Sequence, residues 1–472
     1  KATLKCDEVV FKLIRNNFSI KNAGADFARR LGKNVVDRFY AITPTGVFDF
    51  GLYKEIEKFL VSNNHGGVDY TEAFSDRIQC GRTVVNLFDG LKFPMRYYQK
   101  DTVKECVETG NGVCVLATSA GKSLAQANLI ENYVRAFDGK DFKCIMLVPG
   151  LSLVGQMQKD FKDYGVSFTY SGWTGKSALE DTQVVICNME NFGNQFSDNP
   201  WIVDVDLFLG DECHRYQPKI AKRNTDSKKP KKYVAPYKII QMIKTPHKFG
   251  FTGTLSDDKW EQWKTIGLFG PMIYEKNSKE LRDEGFITKV SSNIVKLIYP
   301  KMKKKSYLDE LEFIYNCDKR NNFIKKLANK LDSNTLILVN HIQHGENLLD
   351  VLGTLENKQV FFVKGDMELT DRSDVVQLME TNNNIICIAM NKIFSTGINV
   401  KNIHNIILAG LGKSFIQIVQ GIGRGLRLHK DKSKLTLIDI CDNLKYSTEH
   451  VEERKIIYDK EQIVWKESEF KL

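Results

Sequence analysis

The strongest constraint on the fold is two series of short apolar runs, each alternating with segments of helical periodicity. The first series reads GVCVLA, KCIMLVP, TQVVICN, VDLFLGDE and KFGFTGT, and the second reads NTLILVN, KQVFFVKG, NIICIAM, HNIILAG and KLTLIDI. Continuous apolar strands separated by helices are typical of parallel sheets that are covered on both faces. The sequence therefore predicts two tandem α/β domains, each built on a parallel sheet.

The first 88 residues do not show this pattern. DRFYAITPTGVFDF predicts two short strands about a turn, and YKEIEKFLVS predicts an amphipathic helix. A chain of 472 residues is too long for one ordinary core. We therefore expect a small α+β accessory domain at residues 1–88, a first α/β domain at 89–290 and a second at 291–472.

Composition excludes several classes of protein. Hydrophobic residues make up 42% of the chain and charged residues 27%, as in globular proteins, and no apolar run is long enough to cross a bilayer. The ten cysteines form no Cys-x-x-Cys pair, so free thiols in a reducing compartment are expected. The N-terminal KATLKCDEVVFKLI does not resemble a secretory signal. These features predict a cytoplasmic protein with no membrane partner.

Basic residues are concentrated in two stretches of a chain whose net charge is +10. Residues 219–232 read KIAKRNTDSKKPKK and residues 301–305 read KMKKK. Clustered lysines suit the phosphate backbone of a nucleic acid, although solvated loops would have the same composition. The role of residues 219–232 therefore stays open at this point.

The segment VCVLATSAGKS has the features of a phosphate-binding loop. An apolar strand ends at Leu116, a loop follows, and Gly121-Lys122-Ser123 precedes a segment of helical periodicity. Backbone N–H groups at a helix N-terminus attract anions. Lys122 can reach the β- and γ-phosphates and the Ser123 hydroxyl can bind Mg²⁺. Leu116 stands where such loops usually begin with glycine, so the tripeptide alone would be a weak signal.

A second motif follows the apolar run VDLFLG. Asp211 and Glu212 come at the end of this predicted strand, where open α/β sheets bind ligands. Asp211 is predicted to hold Mg²⁺, and Glu212 to orient and deprotonate the attacking water. An acidic turn without catalytic function is the alternative.

A third motif lies in the second predicted domain. Gln420, Arg424 and Arg427 are spaced so that they share one helical face. Arginines directed at a γ-phosphate stabilise the charge of the transition state. The alternative is a basic helix that faces solvent or nucleic acid. If the first interpretation holds, one nucleotide is shared between the two α/β domains.

These three motifs, in this order, resemble motifs I, II and VI of superfamily 2 helicases and translocases. The resemblance implies two tandem RecA-like domains that bind ATP and Mg²⁺, with catalytic roles for Lys122, Asp211, Glu212, Gln420, Arg424 and Arg427. FPMRYYQKDTV resembles the adenine-recognising segment of that family. The nucleotide-binding residues implied are Phe93, Arg96, Gln99, Thr118, Ser119, Ala120, Gly121, Lys122, Ser123 and Gly397.

Further motifs imply residues that contact nucleic acid or couple it to the nucleotide. His214 and the GFTGTLSD segment, with Thr252 and Thr254, resemble the coupling motifs. LVPGLSLVGQM, ICNMENF, LVNHIQHGENL and AMNKIFSTGINV resemble motifs Ia, Ib, IV and V. The nucleic-acid contacts implied are Pro149, Gly150, Gln156, Asn188, His341, Ser395 and Thr396. Asn188 replaces the usual threonine of motif Ib, and Asn399 replaces a frequent aspartate of motif V.

Within the superfamily, SAGKS, DECH and FSTGI are similar to phage branch-migration helicases of the UvsW type. This similarity implies an enzyme that uses ATP to move 3′-to-5′ on DNA and remodels branched DNA in recombination, repair and replication, in the host cytoplasm if a phage encodes it. We expect a monomer whose partners are single-stranded and branched DNA. Three alternatives remain: an RNA helicase, a double-stranded DNA translocase that does not separate strands, and an inactive ATP-binding scaffold. A nuclease is disfavoured because no further carboxylate cluster is found.

Overall fold

The computed structural model describes residues 1–22, 25–30, 32, 34–66, 68–81, 86–137, 141–175, 180–217, 233–256, 258–300, 306–365, 367, 369–391, 400–410, 432 and 434–472. The chain divides into two compact units. The first unit contains Lys1–Leu116 and Gly121–Lys276, and the second contains Ala117–Ala120 and Asn277–Leu472.

The first unit is built on a seven-stranded sheet in which every described pairing is parallel. Its strands are β5 (Gly112–Leu116), β6 (Cys144–Val148), β7 (Tyr170–Trp173), β8 (Val184–Asn188), β9 (Leu207–Asp211), β10 (Lys248–Thr252) and β11 (Met272–Lys276). The strand order is β11-β5-β10-β9-β6-β8-β7. The central strands β5, β6, β8 and β10 are buried along their whole length, as expected for a sheet covered on both faces.

Helix α5 (Tyr97–Thr109) precedes the first strand of this sheet. The helices between its strands are α6 (Lys122–Ala136), α7 (Leu151–Tyr164), α8 (Met189–Gln195), α9 (Pro236–Met242) and α10 (Lys259–Phe269). Because the strands are parallel, their carboxyl ends lie at one edge of the sheet, so the loops after β5, β6, β8, β9 and β10 lie at that edge.

The N-terminal part consists of short strands and helices and packs on α10 of the same unit. Its elements are β1 (Ala2–Thr3), α1 (Glu8–Asn17), β2 (Ser19–Lys21), α2 (Ala25–Arg30), β3 (Arg38–Tyr40), β4 (Val47–Phe48), α3 (Tyr53–Ser62) and α4 (Glu72–Ile78). Ile14, Phe18 and Ile56 form a buried cluster with Trp260 and Trp263 of α10. The N-terminal part therefore shares a hydrophobic core with the rest of the first unit.

The second unit repeats the parallel architecture. Its elements are α11 (Ser278–Asp283), β12 (Lys289–Ile298), α12 (Tyr307–Asn316), α13 (Asp318–Lys330), β13 (Thr335–Val339), α14 (Ile342–Leu352), β14 (Gln359–Val363), α15 (Leu369–Thr381), β15 (Ile385–Met390), β16 (Asn405–Leu408), β17 (Lys434–Asp442), α16 (Lys445–Lys460) and β18 (Val464–Lys471). The strand order is β14-β15-β13-β16-β17-β12-β18, and all described pairings are parallel.

The two parallel sheets confirm the predicted fold class of two tandem RecA-like domains preceded by a small α+β part. The exact domain limits at residues 88 and 290 stay a prediction. All ten cysteines are free thiols. Among the described residues, no helix combines the length and the apolar character that crossing a membrane requires.

Candidate active site

The loop between β5 and α6 has the backbone geometry of an anion cradle. Ser119 and Gly121 both have left-handed conformations, with φ of 72° and 78°. Helix α6 then begins at Lys122, so the N–H groups of its first turn lie at the carboxyl edge of the sheet. A Cβ atom on Gly121 would lie 2.4 Å from Nε2 of Gln99, so this position accepts only glycine without a rearrangement.

Gln99 is buried and connects the start of α5 to this loop. Its Oε1 accepts a hydrogen bond from the backbone N–H of Arg96 at 2.8 Å, and its Nε2 donates to the carbonyl of Gly121 at 3.2 Å. The Arg96 guanidinium donates to the hydroxyl of Tyr98 at 2.9 Å, and Phe93 is half exposed. Of the three residues predicted to bind adenine, Gln99 therefore contacts the loop directly. The role of all three in adenine recognition stays a prediction.

The two predicted acidic residues follow β9 beside the lysine of the loop. Nζ of Lys122 lies 3.6 Å from Oε1 of Glu212 and 3.4 Å from the carbonyl of Leu116. Glu212 has a left-handed backbone with φ of 50°, which is unusual for a residue with a side chain. Oδ1 of Asp211 accepts a hydrogen bond from Nε2 of Gln126 at 3.2 Å. The structure thus brings Lys122, Asp211 and Glu212 together at one strand end.

This site has more negative charge than Lys122 neutralises. Burial, and next the neighbouring Glu212, raise the pKa of Asp211 to about 6, although Lys122 and Gln126 act in the opposite direction. Ser123 supplies a hydroxyl oxygen one residue after Lys122. Carboxylate and hydroxyl oxygens are the ligands that Mg²⁺ prefers. The donor set of Ser123 and Asp211 therefore fits a magnesium ion, whose charge would offset the repulsion between the two acids.

The predicted coupling residues connect the ends of β9 and β10. Nδ1 of His214 is hydrogen bonded to Oγ1 of Thr252 at 2.8 Å and lies 3.5 Å from Oε2 of Glu212. Oγ1 of Thr252 donates to the carbonyl of Thr254 at 2.8 Å. Burial lowers the pKa of His214, so the imidazole is neutral near pH 7. His214 is therefore hydrogen bonded to the end of β10 and lies beside Glu212.

The residues predicted to contact nucleic acid in the first unit follow the neighbouring strands β6 and β8. Pro149 and Gly150 lie between β6 and α7. A Cβ atom added to Gly150 would have no neighbouring atom within 4 Å. Nε2 of Gln156 donates to Asp160 at 2.8 Å. Asn188 is buried at the end of β8, and its Oδ1 has no hydrogen-bond partner within the part of the chain that the structure describes. These residues share one sheet edge, and their contacts with nucleic acid stay a prediction.

The second unit contains the remaining predictions. His341 precedes α14, with its ring centroid 4.9 Å from that of Tyr315. The predicted residues that lie outside the described part of the chain are Ser395, Thr396, Gly397, Asn399, Gln420, Arg424 and Arg427, together with the basic stretches at 219–232 and 301–305.

Three residues of the site escaped the sequence analysis. Gln126 holds Asp211, the hydroxyl of Tyr164 is 2.8 Å from Oγ of Ser123, and the hydroxyl of Tyr216 donates to the carbonyls of Leu147 and Asp211. Gln126 lies one helical turn after Ser123, so helical spacing places it near the loop but gives no indication of its contact with Asp211. The positions of Tyr164 and Tyr216 depend on tertiary packing and carry no local signal.

Comparison with known proteins agrees with this geometry. Residues 92–257 match the family described as the res subunit of type III restriction enzymes, and residues 318–429 match the helicase conserved C-terminal domain. The fold and the site thus define a helicase of superfamily 2. The chain is 30% identical over 470 residues to the ATP-dependent DNA helicase uvsW of Enterobacteria phage T4, covering 93% of this chain and 88% of that protein. The chain belongs to this UvsW family of ATP-dependent DNA helicases.

Two more distant similarities cover most of both chains. The DNA 3′-5′ translocase XPB2 of Sulfurisphaera tokodaii is 22% identical over 407 residues, which is 75% of this chain and 84% of the translocase. The chain also resembles the structure of S. cerevisiae Dbp5 bound to RNA, with a TM-score of 0.55 and 13% sequence identity. The matched region covers 79% of this chain and 89% of the Dbp5 chain. The second similarity concerns the fold alone.

Proposed function

We propose that this enzyme hydrolyses ATP at the Lys122 site to move 3′-to-5′ along DNA, and that it remodels forks, four-way junctions and related branched DNA in recombination, repair and replication. The observation that carries the proposal is the grouping of Lys122, Asp211 and Glu212 at one strand end, joined through His214 to Thr252. The UvsW relationship and the 3′-5′ direction named for XPB2 support the substrate class and the polarity.

The proposed roles follow from the contacts of these residues. In the present arrangement, Lys122 lies close enough to Glu212 to neutralise part of its charge. A triphosphate would compete for the lysine, because it carries more negative charge than one carboxylate. Glu212 would then be released to accept a proton from water. Ser123 and Asp211 would hold Mg²⁺, which supplies positive charge to the phosphate oxygens.

The second RecA-like domain would complete the reaction. Gln420, Arg424 and Arg427 are proposed to contact the γ-phosphate, and Gly397 to lie near the nucleotide. Charge-assisted contacts of this kind form only when the nucleotide is present, so binding and hydrolysis would alternately close and release the two domains. The domain limits proposed for this cycle remain 89–290 and 291–472, in a monomeric enzyme.

The proposed DNA track follows the carboxyl edges of the two sheets. Pro149, Gly150, Gln156 and Asn188 would contribute from the first domain. His341, Ser395 and Thr396 would contribute from the second. Such contacts with phosphates are independent of sequence, which suits an enzyme of branched structures. Residues 1–88 and the basic stretch at 219–232 are proposed to contact the duplex arms, because both carry an excess of basic residues.

Strand separation on a matched set of substrates tests this proposal. The set contains a fork, a four-way junction, a D-loop, a plain duplex and an RNA hybrid, with 3′ and 5′ single-stranded tails compared. We expect ATP-dependent processing of the branched DNA, with preference for a 3′ tail, and no processing by Lys122→Ala. A Lys231→Glu/Lys232→Glu variant should bind junctions more weakly and with a shallower salt dependence, while its basal ATPase is retained.

Each alternative predicts a different result with the same substrates. An RNA helicase would be stimulated by RNA at least as strongly as by DNA. A double-stranded DNA translocase would displace a triplex strand without separating the fork. An inactive scaffold would bind ATP without releasing phosphate. Any of these three results would overturn the proposed function.

A further inference from the structure

Both residues proposed to hold the metal ion are themselves held by side chains outside the family motifs. Oγ of Ser123 is 2.8 Å from the hydroxyl of Tyr164, which ends α7. Oδ1 of Asp211 accepts a hydrogen bond from Nε2 of Gln126 at 3.2 Å. Residues that contact metal ligands in this way fix the orientation of those ligands, and their loss commonly weakens metal binding.

Gln126 is fully buried and only half of its amide is hydrogen bonded. Its nitrogen contacts Asp211, whereas its Oε1 is buried with no hydrogen-bond partner in the described ranges of the chain. A buried carbonyl without a donor costs free energy. Ser123 and Gln126 lie three residues apart on α6, so one helical face supplies both a proposed metal ligand and the group that orients the other.

The chemistry of Gln126 also suits a cation site. A neutral amide donates a hydrogen bond to Asp211 without neutralising its charge, in contrast with a lysine or arginine at the same place. The carboxylate therefore remains available to a positive ion. Water molecules bound to Mg²⁺ are strong hydrogen-bond donors, and a buried amide oxygen next to the ligand is an acceptor for them.

Tyr164 is placed to orient the Ser123 hydroxyl. A serine oxygen that binds a metal ion must direct a lone pair towards it, so its proton must go to another acceptor. The Tyr164 oxygen is at the right distance for this role. The Tyr164 ring is also in edge contact with Phe93, with 5.8 Å between the ring centroids, which connects the hydroxyl to the segment proposed to bind adenine.

We propose that Gln126 and Tyr164 are positioning residues for a hydrated divalent cation. The amide nitrogen of Gln126 fixes Asp211, its amide oxygen accepts a hydrogen bond from cation-bound water, and the Tyr164 oxygen accepts the proton of Ser123. This inference rests on the proposed function, because it requires the Lys122 site to bind nucleotide with Mg²⁺.

The test is calorimetric binding of ADP to the full chain, once with MgCl₂ and once with EDTA. The ratio of the two affinities measures the contribution of the metal and does not depend on turnover. We expect Gln126→Met and Tyr164→Phe to bind ADP in EDTA with the affinity of the parent. In each variant, the ratio of ADP affinity in MgCl₂ to that in EDTA should be about 10-fold or more smaller than in the parent. Tyr164→Phe removes a single oxygen from a half-buried ring, so it tests the proposal even if Gln126→Met folds poorly.

Asn128→Leu is the matched control. Asn128 is also a fully buried amide on α6, and its Oδ1 also lacks a hydrogen-bond partner within the described ranges, but its Nδ2 donates to Leu124 and does not contact Asp211. This variant should keep the full effect of Mg²⁺.

Comparison with Asp211→Asn distinguishes failure of this inference from failure of the proposed metal site. A full effect of Mg²⁺ in both Gln126→Met and Tyr164→Phe, together with its loss in Asp211→Asn, would overturn the inference and leave the proposed metal site intact. An equal loss in Asn128→Leu would also overturn it, because the effect would then belong to the packing of α6. If Asp211→Asn kept the full effect of Mg²⁺, the metal site and this inference would both be wrong.

Discussion

Each of the two parallel sheets has a strand that ends in an aspartate, and the two aspartates are stabilised in opposite ways. Asp211 ends β9 in the first unit with a neutral amide as its partner and Glu212 beside it, and burial raises its pKa to about 6. Asp442 ends β17 in the second unit, is fully buried, and accepts hydrogen bonds from Arg320 at 2.9 Å and from the Tyr299 hydroxyl at 2.6 Å.

The difference between Asp211 and Asp442 indicates that an aspartate at the end of a strand can serve either ligand binding or the stability of the fold. Arg320 also donates to the carbonyl of Ala409, after β16, at 2.8 Å and is 3.3 Å from Nε2 of His344 on α14. The second unit therefore neutralises its buried aspartate internally and uses the pair to fix the ends of two neighbouring strands. Within the described residues of the first unit, Asp211 forms no ion pair and Lys122 acts on it only from beside Glu212, which is consistent with a site whose counter-charge comes from a ligand.

Asp442→Asn is the most direct test of the contrast between Asp442 and Asp211, and we expect it to cause the largest loss of stability. The substitution leaves Arg320 buried without a counter-charge, which typically costs about 3–5 kcal/mol of the free energy of unfolding. Urea unfolding measures the loss of global stability, and hydrogen exchange in β16 and β17 then measures the local loss. Asp350→Asn is the control, because Asp350 is an exposed residue on α14, and it should change stability by less than about 0.5 kcal/mol. A loss below about 1 kcal/mol in Asp442→Asn would contradict the proposed internal support.

The sequence predicts the centre of each sheet better than its edges. Ten strands were expected from apolar runs, and each corresponds to a strand of the two sheets. The four strands without such a run are β7, β11, β12 and β18, three of which are sheet edges and one of which is next to an edge. The residues of β7 and β12 alternate between buried and mostly partly exposed positions, whereas those of β11 and β18 are mainly partly or fully exposed. Edge strands face solvent on one side, so they do not need the continuous apolar composition that made the other strands recognisable.

The site divides in a similar way between local and distant contacts. Lys122 and Ser123 are recognisable because the loop, the helix start and the residue spacing are contiguous in sequence. Gln126 is separated from Asp211 by 85 residues, and Tyr164 from Ser123 by 41. Such pairs form only through the packing of the sheet and its helices, which periodicity does not determine. Sequence therefore indicates the proposed metal ligands but not the residues proposed to orient them.

A third carboxylate, that of Asp49, shows whether the contrast between Asp211 and Asp442 comes from their hydrogen-bond partners or from the unit to which each belongs. Asp49 belongs to the first unit, like Asp211, but it has several donors. It accepts from Lys1 at 2.5 Å, Tyr237 at 2.8 Å and Gln241 at 2.7 Å, and Lys264 lies 3.5 Å away. Burial alone would raise the pKa of Asp49, but Lys1 and Lys264 lower it below its ordinary value. Asp49 connects the N-terminal part to α9 and α10, and we expect it to resemble Asp442.

Asp49→Asn should therefore lower the free energy of unfolding by about 1–3 kcal/mol at pH 7, because the asparagine keeps some hydrogen bonds but loses the charge. Ionised Asp49 is stabilising above the ordinary pKa of 3.8, and this contribution is lost as the pH falls through its lower folded value. The difference between parent and variant should thus shrink in acid. Unfolding curves at several pH values measure this, and a pH-independent difference would contradict the role of the charge.

Asp211→Asn is expected to have the smallest effect on stability, with the opposite sign. The substitution removes the repulsion between two adjacent acids, so the ligand-free protein should be as stable as the parent or more stable by up to about 1 kcal/mol. ATP hydrolysis should fall by about 100-fold or more, because the proposed metal ligand is lost. Glu212→Gln relieves the same repulsion and should likewise preserve stability while it abolishes hydrolysis. If Asp211→Asn instead destabilised the first unit as much as Asp442→Asn destabilises the second, Asp211 would be a structural residue. Preserved stability together with lost turnover in Asp211→Asn would support a counter-charge that a ligand supplies.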